Sequence, residues 1–465
     1  MNASPISNWG FDIIEQRSGD FLIFSNFDEE DFKSNPYDGR NTIYKVSPDG
    51  ELLDSIAYFN DTLNQSFNRA IYSRFDKSYY VLSYAVNYND SLTAIRNYHL
   101  LILKYNSDFE LVNERVITLD DFSYYNFFSV ELKEDLYSLR VSFMNAPWDN
   151  RFTELNLLRI DKQSLDTIIW NKMQIDDPWE EGAFSMTKEV EGEGYIFWGT
   201  KYYRLDKNLN MIDTIFRPEH HSSSVNISAR KFDRDRYLIA TDYNKRLDVP
   251  NEDVGFHIFF LDKDFQVLYS NQQEAQREYV GIGNQMMDYR KKDEIYVVTN
   301  AFLSKRGDIM IVKYNTALQP VWIKRIGMTS SSFLTAFSMV ATQEGGCAIT
   351  GDWEDTQKNR QSIFINISRN GDLLTSLDDI AKGGISDITM YPNPSRGYLK
   401  VNFENVKSEA VIELVDMNGR VIISKEIPKL KRHEVNFTSV PSGLYTVNVK
   451  NSSGQVIFSQ KWIKY

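Results

Sequence analysis

The residues of this chain equipped for chemistry are five histidines, one cysteine, three acidic clusters and three tryptophans set among acids and amides. His99, His220, His221, His257 and His433 fall in no HExxH or His-x-His arrangement, so zinc-ligand spacing is absent and no metal residues are assigned. His220-His221 sits in the polar run PEHHSSS, which reads as a solvated loop. Cys347 lies in the apolar run GGCAITGDW and is expected in the core; a lone cysteine also forbids an intrachain disulfide. Neither a G-x-S-x-G elbow nor a P-loop occurs, so no catalytic residues are assigned.

Carboxylates cluster at Asp28-Glu29-Glu30-Asp31, at Asp120-Asp121, and at Asp176-Asp177 with Glu180-Glu181. A glycosidase needs two such groups about 5–9.5 Å apart, a spacing no linear pattern fixes. None matches the D-x-D-x-D-G calcium loop, so these read as solvated acidic loops, with surface calcium the next possibility and no other cofactor expected. Trp148 (APWDN), Trp179 (DPWEE) and Trp353 (GDWED) are the candidate ligand-binding residues, because an aromatic among polar neighbours can stack on a sugar ring.

Those side chains need a scaffold, and composition describes it. A chain of 465 residues with 29 Phe, 27 Tyr and 8 Trp is too long for one core and rich in strand formers. The net charge of −12 excludes a nucleic-acid binder, which needs a clustered basic face. From Ser386 onward 11 Lys and Arg face 7 Asp and Glu, a net of +4 that leaves −16 on the remainder. Two regions of opposite charge imply two domains. No apolar run approaches a membrane span, and Met1–Gly10 shows neither the basic start nor the apolar stretch of a signal peptide.

Before the basic region one unit recurs: an apolar run, a polar turn, a second apolar run. It appears as IYKVSPDGELL, LILKYNSDFELV, LLRIDKQSLDTI, YYRLDKNLNMI, FFLDKDFQVLY, IVKYNTALQPVW and FINISRNGDLL. Aligning Val46, Tyr105, Ile160, Leu205, Leu261, Tyr314 and Ile367 gives spacings of 59, 55, 45, 56, 53 and 53. Each turn is rich in Asp, Asn, Ser or Gly, residues that tolerate left-handed backbone, so each unit predicts a β-hairpin. A second hairpin precedes it, as in the runs from Gly19, Lys77 and Gly345. Four short strands per repeat and seven repeats predict a seven-bladed β-propeller over 1–380, with an elongated array of sandwiches as the competing architecture. The stretch Gly307–Gly327 (GDIMIVKYNTALQPVWIKRIG) resembles a bacterial extracellular β-propeller repeat; no Trp-Asp pair recurs through the repeats as in WD40 blades, and the sialidase Asp-box is missing.

After a Gly-containing junction at 381–390, residues 391–465 carry short alternating strands, such as Tyr445, Val447 and Val449 against Thr446, Asn448 and Lys450. This predicts a small Ig-like β-sandwich. YPNPS (Tyr391, Pro392, Asn393, Pro394), then VIELVDMNGRVI (Asp416, Gly419, Arg420), then PSGLYTVNV (Gly443, Tyr445) and the basic end KWIKY (Lys461, Lys464) occur in order. Together they resemble the type A C-terminal sorting domain of the type IX secretion system of Bacteroidetes. The resemblance implies export, those eleven residues as the sorting signal, and the secretion machinery and its sortase as partners. The expectation is a secreted or surface-anchored all-β protein that binds a glycan or protein without catalysis. The alternatives are a hydrolase or lyase with carboxylates on one propeller face, or a structural spacer.

Overall fold

A computed structural model of the chain describes residues 7–28, 41–58, 63–87, 98–119, 127–131, 136–144, 153–175, 185–199, 201–215, 227–243, 255–274, 279–281, 285–303, 306–327, 333–354, 360–374, 388–391, 397–403, 410–416, 420–427, 432–450 and 456–464. All regular structure among them is β, and the chain divides into two compact units, Met1–Thr375 and Ser376–Tyr465.

The first unit is a seven-bladed propeller. Blade one is the antiparallel sheet Ser7–Glu15, Phe21–Asp28, Asn41–Val46 and Leu52–Tyr58, paired in chain order; blades two to five repeat this pattern. In blade six the inner edge is split between Tyr279–Gly281 and Met287–Lys291, both pairing with Glu294–Leu303. Blade seven has Phe333–Ala341, Gly346–Glu354 and Arg360–Ser368, with a single bridge from Ile367 to Leu373. The innermost strands are Ser7–Glu15, Leu63–Ser73, Phe127–Glu131, Ser185–Lys188, Ile227–Lys231, Met287–Lys291 and Phe333–Ala341. Each packs on the next, and the last packs on the first. The ring is therefore closed, which gives every blade a neighbour on both faces and excludes the elongated array.

The hairpin between the third and fourth strands is built alike in every blade. It opens on Ser47, Asn106, Asp161, Asp206, Asp262, Asn315 or Ser368, whose side-chain oxygen accepts backbone N–H groups of the turn. The residue before it is the aligned Val46, Tyr105, Ile160, Leu205, Leu261, Tyr314 or Ile367, and all seven are buried. The left-handed position is Gly50 or Gly371 in the outer two repeats. In the other five it is Phe109, Leu165, Leu209, Phe265 or Leu318, at φ between 54° and 68°. The polar residues thus cap the turn, while a large apolar one takes the strained backbone. Left-handed backbone costs roughly 1–2 kcal/mol. Burying a Leu or Phe side chain returns about 1.5–3 kcal/mol, and Leu165, Leu209 and Leu318 are at most 1% exposed, so burial wins.

Polar buttresses join the blades. Asn26 exchanges two hydrogen bonds with the backbone of Phe67 in the next blade (2.6 and 2.8 Å), and Asn300 does the same with Ala336 (2.7 and 2.9 Å). Asp12 takes the N–H of Ala70 at 2.7 Å on one side and the hydroxyl of Ser338 at 2.7 Å on the other.

The second unit is a β-sandwich of two sheets. One holds Ile388–Tyr391, Tyr398–Phe403 and Arg432–Asn436; the other holds Val421–Ile427, Ala410–Val415, Gly443–Lys450 and Val456–Lys464. Its core contains Ile412, Leu414, Phe437, Tyr445, Val447, Val449 and Trp462. The alternation Tyr445, Val447, Val449 inward and Thr446, Asn448, Lys450 outward follows the sequence pattern.

Candidate functional site

On the propeller face that carries the hairpin turns, cations of four blades are matched with acids. Lys45 meets Asp20 at 3.2 Å, Lys104 meets Asp76 at 3.1 Å, Arg204 meets Glu189 at 2.8 Å and Lys313 meets Glu294 at 3.0 Å. Burial alone would raise the Asp76 pKa, but hydrogen bonds from Tyr80, Ser73 and Lys104 outweigh it and hold the carboxyl at about 2.

One cleft on this face departs from that pattern. It has a volume of about 560 Å³ and is bounded by the first-blade turn (Glu15, Gln16, Arg17, Ser18) with Lys45, the second-blade turn (Tyr72, Arg74, Lys77, Tyr79), Ser107, Arg290 and Gln343. Ring closure builds its floor. The Glu15 carboxylate, 3% exposed, meets Arg290 at 2.6 Å and takes the backbone N–H of Gln343 at 3.0 Å, although Gln343 is 328 residues away. Burial raises the Glu15 pKa, opposed by Gln343 and Arg290. The Gln343 side chain donates to the carbonyl of Gln16 at 2.7 Å, and the Gln16 amide donates to the Tyr79 hydroxyl at 3.1 Å. Tyr72 and Tyr79 pack with ring centroids 4.9 Å apart.

Glu15 thus neutralises Arg290, and Asp20 neutralises Lys45. Arg17, Arg74 and Lys77 are exposed and have no ion-pair partner among the described residues. Among the described residues, the cleft carries three positive charges without an ion-pair partner, in a unit whose overall charge is negative.

Of the tryptophans, Trp353 is half-buried at the end of Gly346–Glu354 remote from the turn, its indole N–H enclosed without an acceptor among the described residues. Trp148 and Trp179 lie outside the described residues, and Trp353 is not among the residues that line the cleft. Cys347 is fully buried, which pushes its thiol pKa up, the behaviour of a core residue. His99 is buried, and His220 and His221 are outside the described residues. Among the described residues no three His, Cys, Asp or Glu gather closely enough to hold a metal ion. The acidic clusters at 120–121, 176–177 and 180–181 fall outside them.

In the sandwich, the signal residues separate by exposure. Lys464 is buried, its ammonium donating to the carbonyls of Phe437 (3.1 Å), Thr438 (2.6 Å) and Val440. Gly397, at φ 110°, lies under it: a Cβ there would come within 2.8 Å of the Thr438 backbone. The Tyr445 hydroxyl donates to the carbonyl of Pro441 at 2.8 Å. Gly443 has no left-handed backbone, and a Cβ there would meet only the Tyr445 ring at 3.5 Å. Asp416 Oδ1 accepts the N–H of Arg420 at 2.9 Å, the cap seen in the propeller turns, while the Arg420 side chain is 78% exposed. Tyr391 ends the strand Ile388–Tyr391 and Lys461 lies in the last strand, whereas Pro392, Asn393, Pro394 and Gly419 are outside the described residues.

Comparison with known family models agrees with the architecture of the second unit. Residues 389–465 match the family model described as the secretion system C-terminal sorting domain. The C-terminal unit is therefore a type IX secretion sorting domain, and this tail supports a secreted or cell-surface location. No curated protein matches the chain. Among solved structures, the chain is similar to the polysaccharide lyase Uly1 (7% identity, TM-score 0.43, covering 78% of this chain and 90% of that one). It is also similar to a GH93 α-L-arabinofuranosidase of Fusarium graminearum (10%, 0.38, 78% and 93%) and to the S. cerevisiae core factor (9%, 0.39, 78% and 57%). The chain spans little more than half of that last relative. The propeller assignment rests on strand pairing and ring closure, not on these distant likenesses. Among the described residues no helix is long and apolar enough to cross a membrane.

Proposed function

We propose that this protein is an exported β-propeller that captures an extracellular glycan or protein without transforming it, with the sorting domain delivering it through the secretion machinery to a sortase. The carrying observation is the cleft between the first, second, sixth and last blades, where Arg17, Arg74 and Lys77 gather without an acid partner among the described residues, while Lys45, Lys104 and Arg204 on the same face are paired. Rigid closure favours capture, since the floor is fixed by Glu15, Arg290 and Gln343 before any ligand arrives. Hydrolysis of a glycosidic bond calls for two carboxyl groups, and Glu15 is the one acid among the described residues lining this cleft.

Binding of the purified full-length chain to a glycan array, with and without calcium, tests the reading. Saturable binding to one sugar class, weakened by substitution at Arg74 or at Trp148, Trp179 or Trp353, supports it. Release of shortened saccharides from any arrayed glycan would overturn it in favour of a hydrolase or lyase.

A further inference from the structure

We infer that the cleft takes an acidic polysaccharide, engaging its uronate carboxylates with Arg17, Arg74 and Lys77. The inference rests on the capture reading and adds the charge and class of the ligand.

Four observations converge. First, the cleft is too large for a lone inorganic anion: about 560 Å³ lies within the range of sites that enclose small organic ligands. Second, its free charges are of one sign. Two arginines present planar forks suited to bidentate carboxylate recognition, and Lys77, in the same second-blade turn as Arg74, adds a point charge. Third, Lys77 occupies a left-handed position (φ 54°) that blades one and seven give to Gly19 (φ 90°) and Gly345 (φ 87°). A lysine held where glycine is the unstrained choice is the mark of a side chain retained for what it does. Fourth, the remaining lining is suited to a sugar ring. Ser18, Ser107 and Gln343 are exposed hydroxyl and amide groups, and the half-buried Tyr72 supplies an aromatic wall.

An acidic peptide is the competing anionic ligand. Arginine clusters also recognise acidic peptide motifs. The exposed hydroxyl and amide groups of Ser18, Ser107 and Gln343 beside the Tyr72 ring favour a hydroxyl-rich saccharide here, and the poly-glutamate arm below decides between the two.

The experiment is calorimetric titration of the full-length chain with three probes: galacturonic acid trimer, a neutral galactose trimer and a poly-glutamate peptide, with a sulfated disaccharide as a fourth arm. The expected result is binding of the uronate trimer that weakens at least about tenfold between roughly 50 and 500 mM salt. Lys77→Gly separates function from folding. It removes the charge and relieves the backbone, so the unfolding temperature should hold or rise while uronate affinity falls about tenfold. Arg17→Ala with Arg74→Ala should abolish detectable binding. Equal affinity for uronate and neutral trimers would overturn the acidic assignment and leave the capture reading standing. Tighter binding of poly-glutamate, or of the sulfated disaccharide alone, would overturn the uronate class. No binding of any probe would overturn the inference, and the glycan array would then judge the capture reading separately.

Discussion

The carboxylate of Asp12 accepts a hydrogen bond from the hydroxyl of Ser338 at 2.7 Å, joining inner strands that lie 326 residues apart. The same carboxylate takes the N–H of Ala70 at 2.7 Å and lies 3.5 Å from the Arg69 guanidinium, so one buried side chain ties the seventh, first and second blades. Asp12→Ala would leave the Ala70 N–H enclosed without its acceptor and the Arg69 guanidinium without its carboxylate, while the Ser338 hydroxyl keeps Gln285. Each such group costs about 1–3 kcal/mol, so a loss of about 3 kcal/mol in denaturant unfolding is expected. A loss under about 1 kcal/mol would mean that the apolar contacts of Ile13, Phe21 and Ile23 with Ala348 close the ring unaided.

The turn strain makes an opposing pair of terms measurable. Leu318→Gly removes the left-handed penalty of about 1–2 kcal/mol but empties a fully buried site, where large-to-small changes cost about 2–5 kcal/mol. Net destabilisation of about 2 kcal/mol is expected in thermal or urea unfolding. A stabilised variant would show that strain outweighs packing at this position, and the account of the five apolar turns would fail.

These turns also mark how far the sequence could be read. The seven aligned residues from Val46 to Ile367 were legible because each directly precedes the residue that caps the turn, and burial makes each apolar. The sandwich was legible for a similar reason, since Ile412 and Leu414 alternate with half-buried neighbours over one core face. The cleft was not. Arg17 and Arg74 look like ordinary polar turn residues, and only closure of the ring carries Arg290 and Gln343 to Glu15. The one local sign was Lys77, standing in the aligned runs where Gly19 and Gly345 stand. The tryptophans drew attention by their polar neighbours, a feature of sequence adjacency that Trp353 does not turn into exposure.

Asp76 gives the propeller a defined acid sensitivity. Its folded pKa, about 2, lies below the ordinary carboxyl value, so its contribution is fully present above about pH 4 and is lost as pH falls towards 2. The group is partly exposed, and after discounting for solvent screening the contribution is about 1 kcal/mol. Asp76→Asn should therefore be less stable than the parent at pH 7 and nearly equal to it at pH 2. Parallel stability curves for the two proteins across that window would remove the assigned role of the Tyr80, Ser73 and Lys104 hydrogen bonds.

The sorting domain poses the question of which signal residues are read by a partner and which hold the fold. Lys464 is buried over the carbonyls of Phe437, Thr438 and Val440, whereas Arg420 stands largely in solvent beside the Asp416-capped turn. Lys464→Met keeps the length and apolar stem but leaves the carbonyls of Thr438 and Val440 without that donor, while Phe437 keeps the Val440 N–H, a cost of about 1–3 kcal/mol. Faster amide exchange is expected across Val435–Val440 and Gly443–Lys450, with loss of export following from loss of fold. Arg420→Ala should leave exchange unchanged, because an exposed charge pair adds at most about 1 kcal/mol, and yet reduce export. If Lys464→Met is exported normally with parental exchange, the lysine is not the latch of this sandwich. If Arg420→Ala is exported at the parental level, the secretion machinery reads a different part of the signal.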